Sequence, residues 1–219
     1  MEIEWTTYDP GEFYDEMISS PGNPRRAARA IAGYLQKLSA RQLGRRQNAA
    51  DLAIAEMGVT FTVYSEGANI DRTWPFDIIP RIIPLREWSR IEEGLEQRMT
   101  ALNMFIHDLY HEQKVITDGI VPKKLISGSK SFLPQCIDAS PRFNVWAHIC
   151  GSDLVRDRDG TLYVLEDNLR VPSGVSYMIE NRSITKRVFP ELFRKHRILP
   201  VDDYPAHLFE MLASLSPRP

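Results

Sequence analysis

Cysteine is scarce in this sequence: Cys136 and Cys150 are the only two in 219 residues. Two thiols cannot build a disulfide framework, so they read as buried thiols of a reducing compartment, and the expected location is the cytoplasm. Long apolar runs are missing as well; none approaches the roughly 18 residues that a bilayer-spanning helix needs. The first residues, MEIEWTTYDPGEFYDEM, are acidic and lack the apolar stretch of a secretory leader. Neither sign of charge dominates: 26% of residues are charged, yet the net charge is only −2, so no bulk field favours a nucleic acid or a membrane as partner. Internal repeats and a clear linker are also absent. What is present is 43% apolar content, enough for one sizeable core with a helical attachment. Fifteen prolines against twelve glycines mark ordered loops rather than low complexity.

Apolar periodicity divides the chain into elements. Asn23-Pro24 supplies an N-cap followed by proline at the first helical position, and Ala28, Ile31, Leu35 and Leu38 recur behind it at helical spacing. Ser39 and Gln42 form a capping-box pair for a second helix, with Leu43, Ala50, Ile54 and Met57 inward and Gly58 at its end. Arginines 25, 26, 29, 41, 45 and 46 decorate this pair, as a solvated surface or as a patch for an acidic ligand. Residues 59–64 read as a strand and 66–77 as a loop. Pro80 and Pro84 make 78–85 an edge or polyproline-like segment. Ser89 and Glu92 mark another capping box, opening a long amphipathic helix that runs to about Gln113. Short strands are expected at 124–127 and 132–137, and short helices at 175–182, 185–196 and 205–214.

The chemistry concentrates between His148 and Met178. Two apolar-rich runs flank Asp157-Arg158-Asp159-Gly160, and Asp-Gly is a strong hairpin-turn signal. A two-residue loop at Asp159-Gly160 sets Asp153 directly opposite Glu166; a four-residue loop makes the contact diagonal. Both leave the two acids on one face, because side chains alternate with period two. Asn168 joins that face and Asp167 points the other way. Val155, Leu162 and Val164 are expected to line the acids' face and partly desolvate them. Like charges facing each other destabilise a bare hairpin, so something cationic must compensate. Two carboxylates and an amide oxygen suit a hard divalent ion, and the small ligand count favours Mg²⁺ over Ca²⁺. The plain alternative is a surface hairpin whose acids meet Arg156, Arg158 or Arg170. Arg170 lies at the next same-face position and could meet a phosphoryl group as a planar donor. Pro172-Ser173-Gly174 then turns into a helix whose first N–H groups, at Ser173 and Gly174, suit an anion.

The spacing D-x12-E-x-N, ending in N-x-R, resembles the metal-binding end of the ATP-grasp superfamily. The longer strings DRTWPFDIIPRII, GLEQRMTALNMFIHDLY, SDLVRDRDGTLYVLEDNLRVPSGVSYMIENR and FPELF resemble circularly permuted type 2 ATP-grasp proteins, relatives of glutathionylspermidine-synthase-like enzymes. The likeness runs from about Tyr14 to Phe193. It implies an α/β (α+β) fold, a mixed sheet flanked by helices, with ATP between two subdomains and an antiparallel hairpin carrying the metal. It implies a ligase that activates a carboxylate as an acylphosphate, which an amine or thiol then attacks. Asp153, Glu166 and Asn168 would hold Mg²⁺ against the ATP phosphates and Arg170 would stabilise the transferring phosphoryl. The expected partners are ATP and small-molecule or peptide carboxylate and amine substrates. The expected organisation is a helical segment over 1–58, a partial ATP-grasp domain over 59–200 and a tail over 201–219. In the permuted family the nucleotide-clamping half follows the metal-bearing half, so the chain reads as an N-terminal portion whose further partner is that second half. The rival class is a non-catalytic binding module or an inactive fragment that keeps the hairpin as scaffold; a calcium-stabilised hairpin is a second rival.

Other constellations are weaker. His107 and His111 stand at i, i+4, but no third metal ligand lies near, and partly exposed structural histidines are the simpler reading. Residues 127–131, SGSKS, lack P-loop spacing and leave only Lys130 as a possible phosphate contact. The loop of Asp71, Arg72, Trp74 and Pro75 reads equally as a substrate-facing segment or a structural anchor.

Overall fold

In chain order the elements are β1 (Ile18–Ser20), β2 (Asn23–Pro24), α1 (Arg29–Gln36), α2 (Ala40–Met57), β3 (Thr60–Ser65), β4 (Ala68–Thr73), α3 (Leu85–Tyr110), α4 (Lys114–Thr117), α5 (Lys123–Ser127), β5 (Gly151–Arg156), β6 (Leu162–Asn168), α6 (Val175–Val188), α7 (Pro190–Lys195) and α8 (Tyr204–Leu215). This is a computed structural model that describes residues 3–58, 60–65, 68–170 and 172–217, and the side chains of all of these except 61–65 and 68–73. The described strands form three separate pairs, β1–β2, β3–β4 and β5–β6, rather than the mixed sheet expected. Each pair joins strands that are neighbours in sequence, so turns and not crossovers set the topology. The elements gather into two units. One takes Met1–Pro84, Leu154–Tyr163 and Ser173–Pro205; the other takes Leu85–Asp153, Val164–Pro172 and Ala206–Pro219.

The first unit holds the hydrophobic core. Ile31, Ala32 and Leu35 of α1, Ala50 and Ile54 of α2, Ile184 and Val188 of α6, and Phe189 and Leu192 beyond it are buried in one cluster with Ile18 and Ile78. Helical spacing puts these positions on one side of each helix. Ser39 accepts from the Gln42 N–H and Gln42 accepts from the Ser39 N–H, so the capping box of α2 is complete, and Gly58 closes the helix at φ +65°. Helix α6 stops at Phe189 because Pro190 has no N–H to extend it and instead opens α7. Trp74 donates to Asn181 Oδ1 (3.1 Å) and stacks on Tyr177 at 4.1 Å, which makes it an anchor of this unit.

The second unit is built on α3. Tyr110 stacks between Phe132 and Trp146, both at 4.9 Å, and Asn103 Oδ1 accepts from the N–H groups of Trp146 (2.7 Å) and Ala147 (2.9 Å). The segment from Phe132 to Ala147 is thereby held to the helix. His107 and His111 stack on each other at 4.0 Å, and the Trp146 indole donates to His107 Nδ1 (3.4 Å). These histidines are packing and hydrogen-bonding groups.

Several local expectations are corrected. Asn23-Pro24 is strand β2: the Asn23 amide bonds Ser20 Oγ (3.0 Å) and Pro21 O (3.1 Å), closing a turn, and the helix begins six residues later at Arg29. The loop expected over 66–77 contains β4, paired with β3 from Thr60↔Thr73 to Ser65↔Ala68; Val59, Glu66, Gly67 and the side chains of Asp71 and Arg72 lie outside the described residues. Ser89 and Glu92 are interior to α3, which starts at Leu85 directly after Pro84, so they cap nothing. The strands expected at 124–127 and 132–137 are helix α5 and a 3₁₀ turn at Pro134–Cys136. Lys-Lys-Leu-Ile-Ser follows Pro122, and proline before a helix outweighs a few apolar residues of strand type.

Candidate metal and nucleotide site

The β5–β6 hairpin closes on a three-residue loop, 158–160, in place of the two- or four-residue loop expected. Gly160 N–H donates to Asp157 O and Asp157 N–H to Thr161 O, both at 2.9 Å, with Gly160 at φ +90°. A type I turn followed by a left-handed glycine has this pattern. Unbroken pairing from Asp157–Thr161 would bring Ser152 opposite Glu166. Instead Ser152 Oγ donates to Asp167 Oδ1 (2.8 Å), and a Cβ on Gly151 would lie 3.8 Å from that of Asn168. Strand β6 therefore carries one residue more than β5 between loop and base. Its exposure alternates through Val164, gives two exposed residues in a row at Leu165 and Glu166, then resumes with half-buried Asp167 and exposed Asn168. A bulge produces this slip. Glu166 and Asn168 are exposed, as Asp153 is, while Leu162 and Val164 are half-buried. The expectation that those two apolar residues desolvate the acids is corrected: Asp153, Glu166 and Asn168 are all exposed.

The arginines of the hairpin are engaged elsewhere. Arg156 donates to Glu16 (3.0 Å) and to Gly160 O (2.8 Å), and Arg158 to Glu12 (3.2 Å). Among the described residues no ion pair reaches Asp153 or Glu166. The Asn168 amide donates to Glu166 Oε1 (3.1 Å), which leaves the Asn168 oxygen free to face a cation. On the reverse side Asp167 is 9% exposed and takes a short bond from Arg98 Nε (2.6 Å). Burial and the nearby Asp167 charge both push the Cys150 thiol up.

The remaining candidates occupy separate places. Arg170 is exposed in the bend after β6. A side chain on Gly151 would strike Pro172 at 2.8 Å, so the glycine lets the segment after Arg170 lie close to β5. Lys130 is exposed in the turn after α5. Ser173 and Gly174 belong to the first unit, at the start of α6; Gly174 is its N-cap without a side-chain bond, and Ser173 O accepts from Ser176 Oγ (3.2 Å). No group of three or more His, Cys, Asp and Glu side chains gathers among the described residues. The donors at the hairpin base, two carboxylates and an amide oxygen, fit a hard cation that completes its shell with water and phosphate oxygens. Arg98 and Ser152 lie inside the family-like strings but are not singled out there as functional, and Arg98 stands 69 residues from Asp167. No local spacing points to either.

The sequence profile of circularly permuted ATP-grasp type 2 proteins matches residues 80–219, more than half of the chain. The chain belongs to this family. An uncharacterised protein of Synechocystis sp. is 47% identical over 215 residues, 98% of this chain and 45% of the relative. An uncharacterised protein of Mycobacterium tuberculosis is 40% identical over 199 residues, 91% of this chain and 35% of the relative. A candidate glutamate–cysteine ligase of Frankia alni is 38% identical over 204 residues, 93% of this chain and 23% of the relative. The chain thus spans less than half the length of these curated relatives. None of its described helices is long and apolar enough to cross a membrane.

Proposed function

We propose that this ATP-grasp chain supplies the magnesium-binding part of an ATP-dependent carboxylate–amine (or thiol) ligase that works through an acylphosphate. The reading rests on two exposed carboxylates and an exposed amide at the base of one hairpin, the amide bonded to Glu166, with no ion pair to either acid among the described residues. A divalent ion would compensate the two acids and, when bound, would neutralise charge on the phosphates of ATP. Asp153, Glu166 and Asn168 are its ligands, and the Asn168 amide holds Glu166 in orientation. Arg170 stabilises charge on the phosphoryl group as it moves from ADP to the substrate carboxylate oxygen. The amine or thiol then attacks the acyl carbon and inorganic phosphate leaves. Lys130 is a further phosphate contact.

The name of the Frankia relative agrees with the class, a carboxylate joined to an amine. It does not assign substrates here, because the shared segment is 23% of that protein. The glutathionylspermidine-synthase-like likeness likewise supports only peptide-type bond formation.

The test is titration of the protein with Mn²⁺ and ATP, followed by the magnetic resonance signal of free Mn²⁺. Asp153→Asn and Glu166→Gln should each weaken Mn²⁺·ATP binding by at least about tenfold, since even supporting groups of metal sites cost that much. Undiminished affinity in both variants would remove the basis for the ligase reading.

A further inference from the structure

Strand β6 presents two adjacent acids, Glu166 and Asp167, and only one of them can face the same side as Asp153. A one-residue slip of register exchanges them, and β6 has seven residues where β5 has six. Something must select Glu166. Asp167 Oδ1 accepts from Ser152 Oγ (2.8 Å) and Oδ2 from Arg98 Nε (2.6 Å) of α3. Both carboxylate oxygens are thus engaged on the reverse side. Ser152 immediately precedes Asp153, and Asp167 sits between Glu166 and Asn168. The three residues of the exposed face are therefore backed by one contact made by their chain neighbours.

We infer that Asp167 is a positioning residue: with Ser152 and Arg98 it forms a clamp that fixes the register of the hairpin base and so presents Asp153, Glu166 and Asn168 to a divalent cation. This rests on the magnesium reading proposed above. The Arg98–Asp167 bond is charge-assisted and largely shielded on the carboxylate side, so it fixes orientation more firmly than a bond between neutral groups. Arg98 also keeps Asp167 from being the second acid of the exposed face, because turning it outward would strip it of both donors. Asp167 touches no cation. It acts through the backbone that it shares with its two neighbours.

The experiment follows Mn²⁺·ATP affinity and the Mn²⁺ magnetic resonance line shape, which reports ligand geometry, on the intact protein. The variants are Asp167→Asn, Ser152→Ala, Arg98→Met and Arg98→Lys, with Glu166→Gln as the comparison. Asp167→Asn and Arg98→Met should each weaken binding about tenfold and broaden the bound-ion spectrum. The two changes combined should cost no more than the larger alone, because they break the same contact. Arg98→Lys should recover part of the affinity by keeping the charge. Ligand-free melting temperatures identify a variant that has simply lost its fold. If Asp167→Asn does not fold, Ser152→Ala and Arg98→Lys, milder changes on the same clamp, decide the matter. Wild-type affinity and spectrum in the clamp variants, with binding lost in Glu166→Gln, would overturn the clamp and leave the metal site standing. Wild-type affinity in Glu166→Gln as well would take down the metal reading and the clamp together.

Discussion

Glu16 shows how one side chain organises its surroundings. Arg81 and Arg156 both converge on its carboxylate. Arg156 is only 5% exposed, bonds Gly160 O (2.8 Å) and lies 4.9 Å over the Tyr14 ring, whose other neighbour is Arg25 at 3.9 Å. Gly160 is required here twice over: its φ is +90°, and a Cβ would strike Tyr14 at 2.6 Å. Burial alone pushes the Glu16 carboxyl up, but the hydrogen bond and charge of Arg81, a backbone hydrogen bond and the Arg156 hydrogen bond outweigh it and hold the group below its ordinary 4.5. A carboxyl depressed in the fold stabilises the protein above its unfolded pKa, and that contribution disappears as pH falls through the folded value. Glu16→Gln should therefore lower the melting temperature at neutral pH and make no difference well below pH 4.5. Melting curves of both proteins from neutral into acid check this; a gap that stays constant with pH would show that the carboxylate charge contributes nothing.

Among the elements, α2 and α3 carry the same start signal with opposite outcomes. Ser39 and Gln42 make both reciprocal bonds, at 3.3 and 2.8 Å, and begin α2. Ser89 and Glu92 have the same spacing but lie inside α3, because Pro84 ends the preceding irregular segment and a run of good helix formers starts at Leu85. A capping box satisfies donors that only a first turn leaves open, so it cannot act where the helix already continues upstream. Ser39→Ala should cost about 1 kcal/mol of stability, measured by urea unfolding, with the slope unchanged. Ser89→Ala should be close to neutral in the same experiment. The hairpin of β5 and β6 repeats the lesson. Its turn was legible from Asp-Gly, and its loop length and bulge were not, since these depend on what Ser152 and Asp167 meet on the reverse side.

At the scale of the whole molecule, apolar burial is divided unevenly. Of the buried hydrophobic side chains among the described residues, all but Leu109 belong to the first unit. The second unit leaves Met104, Ile120, Phe143, Leu165 and Phe209 well exposed. Local stability follows buried apolar contact, so native-state hydrogen exchange should find the amides of α2 and α6 markedly slower than those in the middle of α3. Equal protection in the two units would show that this division of burial does not set their stability. The sequence by itself determined the amphipathic helices, the Ser39 cap, the Asp-Gly turn and the acids at 153 and 166, because periodicity, capping and turn chemistry act over a few neighbouring residues. Only the tertiary structure decided that the described strands form three separate pairs, that Arg156 answers Glu16 across 140 residues, and that Arg98 answers Asp167 across 69. Those pairings are set by which surfaces meet when apolar faces are buried, and spacing along the chain carries no record of that.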